Sequence, residues 1–357
     1  MTDNSPHKPV LLLDEARCKK NIERMVQKAT ASNCDFRPHF KTHQSARVGE
    51  WFREKSITGI TVSSVSMAQY FHEAGWNDIT IAFPFFKGQI DGLKQLNRSC
   101  KLRLFVNSTD DVRQLSESLT NEFRVYIELN TGSNRSGIHH ENTPQINSII
   151  ETCTKFENVQ FHGFYVHHGD TYKARSKEEI TELIAPTLSI YKKMNVHYPE
   201  AKFSLGDTPS ASVLTNFDDI DELTPGNFVF YDWMQVCIGS CTLNDVALFA
   251  LLPVAQVSKE INKAIILGGA VHMSKDFVEV DDARNYGQVV NIAGNEITPV
   301  PLYLSALSQE HGAVSGNVET ITGNHLVVCP IHSCLTANLN GHYVTRDGKI
   351  IEKRILS

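Results

Sequence analysis

The chain has 357 residues, of which 41% are hydrophobic, so its length and composition suit a folded protein with a large core. The net charge of −6 weighs against a nucleic-acid partner, because such proteins usually present a basic surface. The longest apolar run, Val246 to Ala255, is too short to cross a membrane, no secretory signal is visible, and the eight cysteines are scattered, so we expect reduced thiols and a cytoplasmic location.

Apolar runs of β type alternate with amphipathic stretches between residues 10 and 232. A strand at Val10–Leu13 comes first, followed by a helix whose Ile22, Met25 and Val26 share one face. Helical patterns fill most later intervals, Ser176–Met194 among them. Eight further runs predict strands, near Phe36–Lys41, Gly59–Ser63, Asp78–Phe83, Leu102–Val106, Phe123–Leu129, Val159–Val166, Lys202–Leu205 and Asn227–Tyr231. This alternation favours an α/β fold closed as a TIM-type (β/α)8 barrel, with a doubly wound open sheet as the alternative.

After Asp232 the pattern changes to strands separated by turns that contain Gly and Asn. The apolar runs there are VALFALLPVAQVSK, KAIILGGAVH, HLVVCPIHSC, GHYVTRDG and KIIEKRIL. We therefore predict two domains. The barrel covers 15–235, and a mostly β domain is made of 1–14 and 236–357, where the strand at Val10 finds its partners.

Two sets of polar residues lie where a barrel of this type places its chemistry, at the carboxyl ends of strands. Lys41 ends the first run between two histidines, and an amine desolvated there can act as a nucleophile and form a Schiff base. The alternative is a lysine that extends its amine into water. Gly206 to Ser210 offers backbone N–H groups and the hydroxyls of Thr208 and Ser210 to a phosphate, although an ordinary turn explains the same residues.

His332 and Cys334 form a possible metal pair in the β domain. On a strand, residues two apart point to the same face, so the imidazole and the thiol would lie side by side. Nitrogen and sulfur ligands suit Zn²⁺, and two protein ligands leave positions open for water or substrate. The alternative is a buried cysteine beside a surface histidine.

Six segments of the chain together resemble one family. The resemblance is to pyridoxal-phosphate enzymes with an alanine-racemase-like barrel, fold type III, and specifically to the D-serine dehydratase and D-threonine aldolase group. The segments are R-P-H-F-K-T-H at 37–43, N-T-G-S-N-R-S-G at 130–137, G-F-Y-V-H-H-G at 163–169, T-P-G-N-F-V-F-Y-D at 224–232, L-S-Q-E-H-G at 307–312 and P-I-H-S-C at 330–334.

The resemblance implies a role for one or more residues in most of these segments. Lys41 would carry the cofactor, Arg135 would contact its phenolic oxygen and His167 would pack on its pyridine ring. The turn at 224–232 would bind the phosphate through backbone N–H groups, with Gly226, Asn227 and Tyr231 among the cofactor-binding residues. His332 and Cys334 would hold Zn²⁺ or Mn²⁺. Glu310 and His311 are candidates to orient a metal ligand or the substrate carboxylate, and the sequence does not decide between these roles.

Two departures from the family pattern direct the choice of reaction. Thr224 stands where alanine racemases carry an arginine that faces the pyridine nitrogen, and no motif supplies their tyrosine base. His332-x-Cys334 resembles the Zn-dependent dehydratases, whereas the aldolases typically show His-x-Asp. The resemblance thus implies a homodimeric lyase that removes water from a D-3-hydroxy amino acid, giving a keto acid and ammonia. The alternatives are retro-aldol cleavage to glycine and an aldehyde, and a racemase or a non-catalytic pyridoxal-phosphate-binding protein.

Overall fold

A computed structural model describes residues 7–280 and 282–355 of the chain. Its strands are β1 (Val10–Leu13), β2 (Asp35–Phe36), β3 (Ile60–Val62), β4 (Asp78–Pro84), β5 (Lys101–Phe105), β6 (Phe123–Asn130), β7 (Ile138–His139), β8 (Val159–Val166), β9 (Lys202–Leu205), β10 (Glu222–Leu223), β11 (Leu248–Ser258), β12 (Lys263–Leu267), β13 (Val278–Val280), β14 (Ala283–Asn285), β15 (Gly287–Ala293), β16 (Glu296–Leu307), β17 (His311–Gly316), β18 (His325–Pro330), β19 (His342–Thr345) and β20 (Ile350–Glu352).

The helices alternate with the strands in the first two thirds of the chain and are sparse thereafter. They are α1 (Glu15–Ala31), α2 (Ala46–Arg53), α3 (Val65–Glu73), α4 (Ile90–Asn97), α5 (Thr109–Ser118), α6 (Thr143–Cys153), α7 (Lys177–His197), α8 (Thr208–Val213), α9 (Trp233–Cys237), α10 (Ala270–Met273) and α11 (Ser333–Leu339). Among the residues that the structure describes, no helix is long and apolar enough to cross a bilayer. All eight cysteines are free thiols.

The chain divides into two compact units. The barrel unit consists of Glu23–Lys41 and Gly49–Gly226. The β unit consists of the described residues up to Ile22, the segment Thr42–Val48 and the described chain from Asn227 onward. The limits inferred from the sequence, 15–235 for a barrel domain, stay a prediction.

Eight parallel strands close the barrel unit. Their order is β2-β10-β9-β8-β6-β5-β4-β3, with the short β7 paired to β6 outside this path. A parallel bridge between His39 and Thr61 joins the two ends of the sheet. Phe40 N–H donates to the Thr61 carbonyl at 2.8 Å, and Thr61 N–H donates to the Pro38 carbonyl at 3.0 Å. The TIM-type barrel is therefore confirmed over the open sheet.

The eighth strand was predicted at the wrong place. It is β10, which pairs with β9 on one side and β2 on the other, and not Asn227–Tyr231. Asn227–Val229 form a turn of 3-10 helix, and Tyr231 has a φ of +48°. The run at 227–231 is apolar because all of its residues are buried, and a short buried run does not distinguish a strand from a helical turn.

A layer of buried ionic side chains fills the amino end of the barrel. Glu222 accepts hydrogen bonds from Arg103 at 2.6 Å, Tyr126 at 2.9 Å and Ser204 at 2.8 Å. His162 contacts the Tyr126 ring edge to face, with the ring centroids 5.0 Å apart. Burial, and to a smaller extent the positive charges of neighbouring arginines, lower the pKa of His162 to about 3. The polar residues around Glu222 provide hydrogen-bond partners for one another, so we assign this layer a structural role.

The β unit is built on an antiparallel barrel. Strands β11, β12, β17, β16, β15 and β18 pair in this order, and β11 closes the ring by pairing with β12 and β18. Strand β1 adds to β11 antiparallel and to β19 parallel, as expected for the strand at Val10. The mostly β carboxyl-terminal domain is thus confirmed. The sequence pattern did not single out β15, β16 or β17.

Candidate active site

Lys41 lies in the barrel unit, directly beyond the bridge that closes the sheet. The bridge residue His39 is two positions before it, and the Lys41 N–H donates to His39 Nδ1 at 3.3 Å. The Lys41 side chain is half-buried. Because β2 and β3 run parallel, this position is the carboxyl end of the barrel, where the loops of such folds carry their chemistry. The structure therefore places Lys41 where the sequence predicted it.

His167 directly follows β8 at the same end of the barrel. Burial, and after it the positive charges of Lys41 and Arg135, lower its pKa to about 3. The ring also forms a hydrogen bond with the Gly206 backbone. The imidazole is therefore neutral at pH 7, and the positive charges of Lys41 and Arg135 favour this neutral form.

Arg135 lies in the loop after β6, and its side chain is 60% exposed. It faces Glu128, with its guanidinium 3.6 Å from Glu128 Oε1. Glu128 is 4% exposed, and its other oxygen has no hydrogen-bond partner among the described residues. The turn returns through Gly137 at a φ of +90°, where a Cβ would lie 2.7 Å from the Glu128 carbonyl oxygen. Glycine at this position thus allows the loop to fold back on β6.

The start of α8 presents two buried hydroxyls. Asp207 caps the helix by accepting the Ser210 N–H at 2.9 Å, and it also accepts the Thr171 hydroxyl at 3.0 Å. Thr208 and Ser210 are fully buried, and their side-chain oxygens have no partner in the described part of the chain. Unsatisfied buried hydroxyls cost about 1–3 kcal/mol each, so they favour a bound polar ligand. A phosphate offers the acceptors that both need.

Gly206 lets the chain before this helix approach β8 closely. A Cβ on Gly206 would lie 2.1 Å from the Tyr165 hydroxyl, so a larger residue would displace the tyrosine. The Thr224 hydroxyl donates to the same Tyr165 oxygen at 3.3 Å. Thr224, the departure from the racemase pattern, is fully buried and neutral.

Gly226 ends the barrel unit and Asn227 begins the β unit. The Asn227 side chain donates to Asp232 at 2.6 Å and to the Ser333 hydroxyl at 3.2 Å. Tyr231 is 2% exposed in the same turn. Their assignment as cofactor-binding residues stays a prediction, and the Asn227 amide has partners within the β unit.

His332 and Cys334 do not lie on a strand, which corrects the expectation. Strand β18 ends at Pro330, His332 is the residue before α11, and Cys334 lies in the first turn of that helix. The chain turns here because the Ser333 N–H is drawn to the buried Asp232, at 2.9 Å. The two side chains nevertheless contact each other, since a hydrogen bond joins His332 and Cys334.

Charge complementarity holds this pair together. His332 Nδ1 lies 2.7 Å from Asp276 Oδ2. Burial alone would lower the pKa of His332, but its bonds to Asp276 and Cys334 raise it to about 11. Burial alone would raise the pKa of the Cys334 thiol, but His332 and a Thr42 contact at 3.2 Å hold it below its usual value. A deprotonated cysteine is the form that binds a metal.

Three residues of this site were not predicted as functional: Thr42, Asp232 and Asp276. Asp276 belongs to no motif, and its spacing from His332 in the sequence does not predict their contact. Thr42 follows Lys41 directly in the K-T-H string, which was the available signal. Glu310 pairs with His272 at 3.7 Å. Within 7–280 and 282–355, no cluster of three or more His, Cys, Asp or Glu side chains could hold a metal.

Comparison with protein families gives two matches along the chain. The family described as alanine racemase, N-terminal domain, matches residues 13–232. A serine dehydratase domain family matches residues 247–346.

Three curated relatives match over nearly their whole lengths. D-threo-3-hydroxyaspartate dehydratase of Delftia sp. is 29% identical over 92% of this chain and 91% of its own. D-serine dehydratase of Dictyostelium discoideum is 24% identical over 98% and 96%. D-threonine aldolase of Arthrobacter sp. is 24% identical over 96% and 90%.

The Delftia enzyme has also been solved. Its structure superposes with a TM-score of 0.88 at 27% identity, covering 99% of this chain and 98% of that one. A cysteine-to-alanine variant of it has been solved in the metal-free form, with a TM-score of 0.87, 27% identity and the same coverage.

Proposed function

Because the chain belongs to the alanine racemase N-terminal domain family, we propose that it is a pyridoxal-phosphate-dependent lyase that removes water from a D-3-hydroxy amino acid. The resemblance stated from the motifs is confirmed, and so is the prediction of an enzyme of the dehydratase and aldolase group. The family is one of pyridoxal-phosphate enzymes. We propose in addition its metal, its substrate and the role of each site residue.

The barrel unit fits the cofactor. The buried hydroxyls of Thr208 and Ser210 lack partners among the described residues and would bind the phosphate. Arg135 would face the phenolic oxygen, and neutral His167 would pack on the ring without taking a proton. When bound, pyridoxal phosphate supplies an electron sink that draws negative charge away from the substrate Cα.

Lys41 is the residue we assign as both the cofactor's anchor and the base. Its amine lies at the carboxyl end of the barrel, close enough to His167 to lower the pKa of that ring. With substrate bound, the Lys41 Nζ would accept the proton from the substrate Cα. Neutral His167 adds no second positive charge beside Lys41, which favours the amine as an acceptor.

The donor set of His332 and Cys334 fits a zinc ion in an open, catalytic type of site. The pair supplies one nitrogen and one thiolate. Because Asp276 binds Nδ1 of His332, Nε2 is the ring nitrogen that would bind the metal. When bound, the metal supplies a Lewis acid for the 3-hydroxyl, which is otherwise a poor leaving group. The observation that carries the dehydratase assignment is the placement of His332, held by Asp276 at 2.7 Å, and Cys334 together at the start of α11.

Aldol cleavage is the second candidate, favoured by the match to the Arthrobacter D-threonine aldolase. Both reactions use the same proposed groups, and they differ in which bond to Cβ breaks. Cys334 favours dehydration, because the resemblance implies that the aldolases carry an aspartate at this position.

The products of D-serine, D-threonine and D-threo-3-hydroxyaspartate distinguish the two reactions. We expect the enzyme loaded with pyridoxal phosphate and Zn²⁺ to release ammonia and a keto acid in equal amounts. Glycine with an aldehyde would establish the aldolase instead. The corresponding L-amino acids are the matched control, and turnover of none of the three D-substrates would refute both reactions.

We also propose that the chain acts in the cytoplasm as a homodimer. Leu335 and Leu339 lie one turn apart on α11 and are 40% and 44% exposed, so they would offer an apolar face to a second copy of the chain. Sedimentation at the mass of one chain would contradict the dimer.

A further inference from the structure

The Cys334 sulfur is surrounded by hydrogen-bond donors of the β unit. The Thr42 hydroxyl lies 3.2 Å from it, and the Asn227 amide nitrogen lies 3.6 Å from it. Both residues are buried, Thr42 completely and Asn227 at 3% exposure. Together with His332, they fix the direction in which the sulfur can present its remaining electron pairs.

One carboxylate holds this arrangement from behind. Asp232 is 1% exposed and accepts three hydrogen bonds. They come from the Asn227 amide at 2.6 Å, the Ser333 N–H at 2.9 Å and the Gln235 N–H at 3.0 Å. Asp232 therefore fixes both the amide that faces Cys334 and the first residue of the helix that carries Cys334.

The amide of Asn227 has its orientation set by this carboxylate. An amide oxygen turned toward Asp232 would place two acceptors against each other, so the nitrogen must face Asp232. The same nitrogen is within reach of Ser333 Oγ at 3.2 Å and of the Cys334 sulfur. A buried carboxylate is retained only when such donors meet it, because an unpaired buried charge is costly.

We infer that Asp232 is a positioning residue for the His332–Cys334 pair, acting on Cys334 through the Asn227 amide and the Ser333 N–H. The inference rests on the proposed function, since it gives the pair its role as metal ligands. Asp232 is not one of the two proposed ligands. Through these two donors it would orient the cysteine sulfur toward a bound ion, and the orientation of a ligand affects metal affinity.

The test compares Asp232→Asn with the unaltered enzyme in two metal measurements that need no turnover. Zn²⁺ affinity is measured by competition with a chromophoric chelator, and Co²⁺ is added to record the thiolate-to-metal charge-transfer band. We expect Zn²⁺ affinity to fall about 10- to 100-fold and the Co²⁺ band to shift or weaken. The asparagine keeps the size of the side chain but replaces one accepting oxygen by a donor.

Asp245→Asn is the matched control. Asp245 is also a buried carboxylate of the β unit that caps a short helical turn, accepting the Thr242 N–H at 2.8 Å and hydroxyl at 2.7 Å. Loss of this cap should lower stability while leaving the Co²⁺ band unchanged. A band that changes equally in both variants would show that Asp232 serves only the fold, and would overturn the inference.

Asn227→Ala tests the same inference where Asp232→Asn does not fold. It removes the amide but keeps the carboxylate and its bond to the Ser333 N–H, so we expect a smaller shift of the same band. Wild-type affinity and an unchanged band in the folded variants would overturn the inference. An unaltered enzyme that binds neither Zn²⁺ nor Co²⁺ would instead refute the proposed metal site, and the inference with it.

Discussion

Lys41, His167 and Arg135 come from three separate loops of the barrel unit, and the charge of two of them lowers the pKa of the third. The sequence predicted each as a site residue, because each lies in a motif and follows a strand. Their mutual proximity is what the structure adds. It follows from parallel strands that all end at one rim of a closed sheet.

Lys41→Ala should abolish covalent attachment of the cofactor. The alanine has no amine, so we expect loss of the visible absorption of the bound cofactor and loss of trapping by borohydride. Lys349→Ala is the matched control, because the Lys349 side chain is 78% exposed and pairs with Asp347 at 2.6 Å. Absorption and trapping that persist in Lys41→Ala would show that another lysine carries the cofactor.

The residues that escaped prediction share a physical feature. Asp276 and Asp232 act through contacts with residues 56 and 101 positions away, at His332 and Ser333. No local spacing encodes such a contact, because it depends on how a loop packs in three dimensions. A motif identifies residues that contact a ligand more readily than it identifies the residues that position those contacts.

At the scale of elements, short buried segments were the hardest to predict. The run at 227–231 and the residues 332–334 were both expected on strands, and both lie at the start of helical turns. In each case the buried carboxylate of Asp232 binds the segment, through the Asn227 side chain and the Ser333 N–H. The long helix α7 at Lys177–His197 was predicted well, since it displays its period over several turns, whereas the longest strand, β16, was not singled out.

Helix α8 is expected to bind the cofactor phosphate through side chains. Ser210→Ala removes a fully buried hydroxyl that lacks a partner among the described residues. A hydrogen bond to a charged group contributes about 1.5–3 kcal/mol, so affinity for pyridoxal phosphate should fall roughly 10- to 150-fold. Equilibrium dialysis of the apoenzyme with the cofactor measures this change.

Ser212→Ala in the same helix is the control, because it removes a hydroxyl from a half-buried position of α8. We expect it to leave the affinity within about twofold. Equal affinities for Ser210→Ala and Ser212→Ala would place the phosphate elsewhere.

At the scale of the whole molecule, each unit closes its own sheet. The barrel unit closes by the bridge of His39 with Thr61, and the β unit closes where β11 pairs with β12. The parallel sheet was predictable from strands that alternate with helices, and the antiparallel sheet from strands separated by turns. The excursion of Thr42–Val48 into the β unit was not, because it depends on remote bonds such as that from the Tyr343 hydroxyl to the His43 carbonyl, at 2.7 Å.

Three histidines make the stability of the chain sensitive to acid. Burial lowers the pKa of His43, His162 and His167 to about 3 each, whereas an unfolded histidine titrates near 6.5. Below about pH 6.5 these histidines bind protons in the unfolded chain but stay neutral in the folded chain. The stability from the neutral rings is therefore complete above that pH and is lost as the pH falls toward 3. Each ring contributes a slope of up to about 1.4 kcal/mol per pH unit.

His162→Gln isolates one of these three slopes, because His162 lies at the amino end of the barrel, away from Lys41. We expect the urea midpoint of the barrel unit to fall less between pH 7 and pH 5 in this variant than in the unaltered chain. Loss of the contact with Tyr126 lowers stability at both pH values alike, so the difference between them reports the proton alone. Equal losses with and without the ring would mean that His162 is protonated in the folded chain, and that its burial does not keep it neutral.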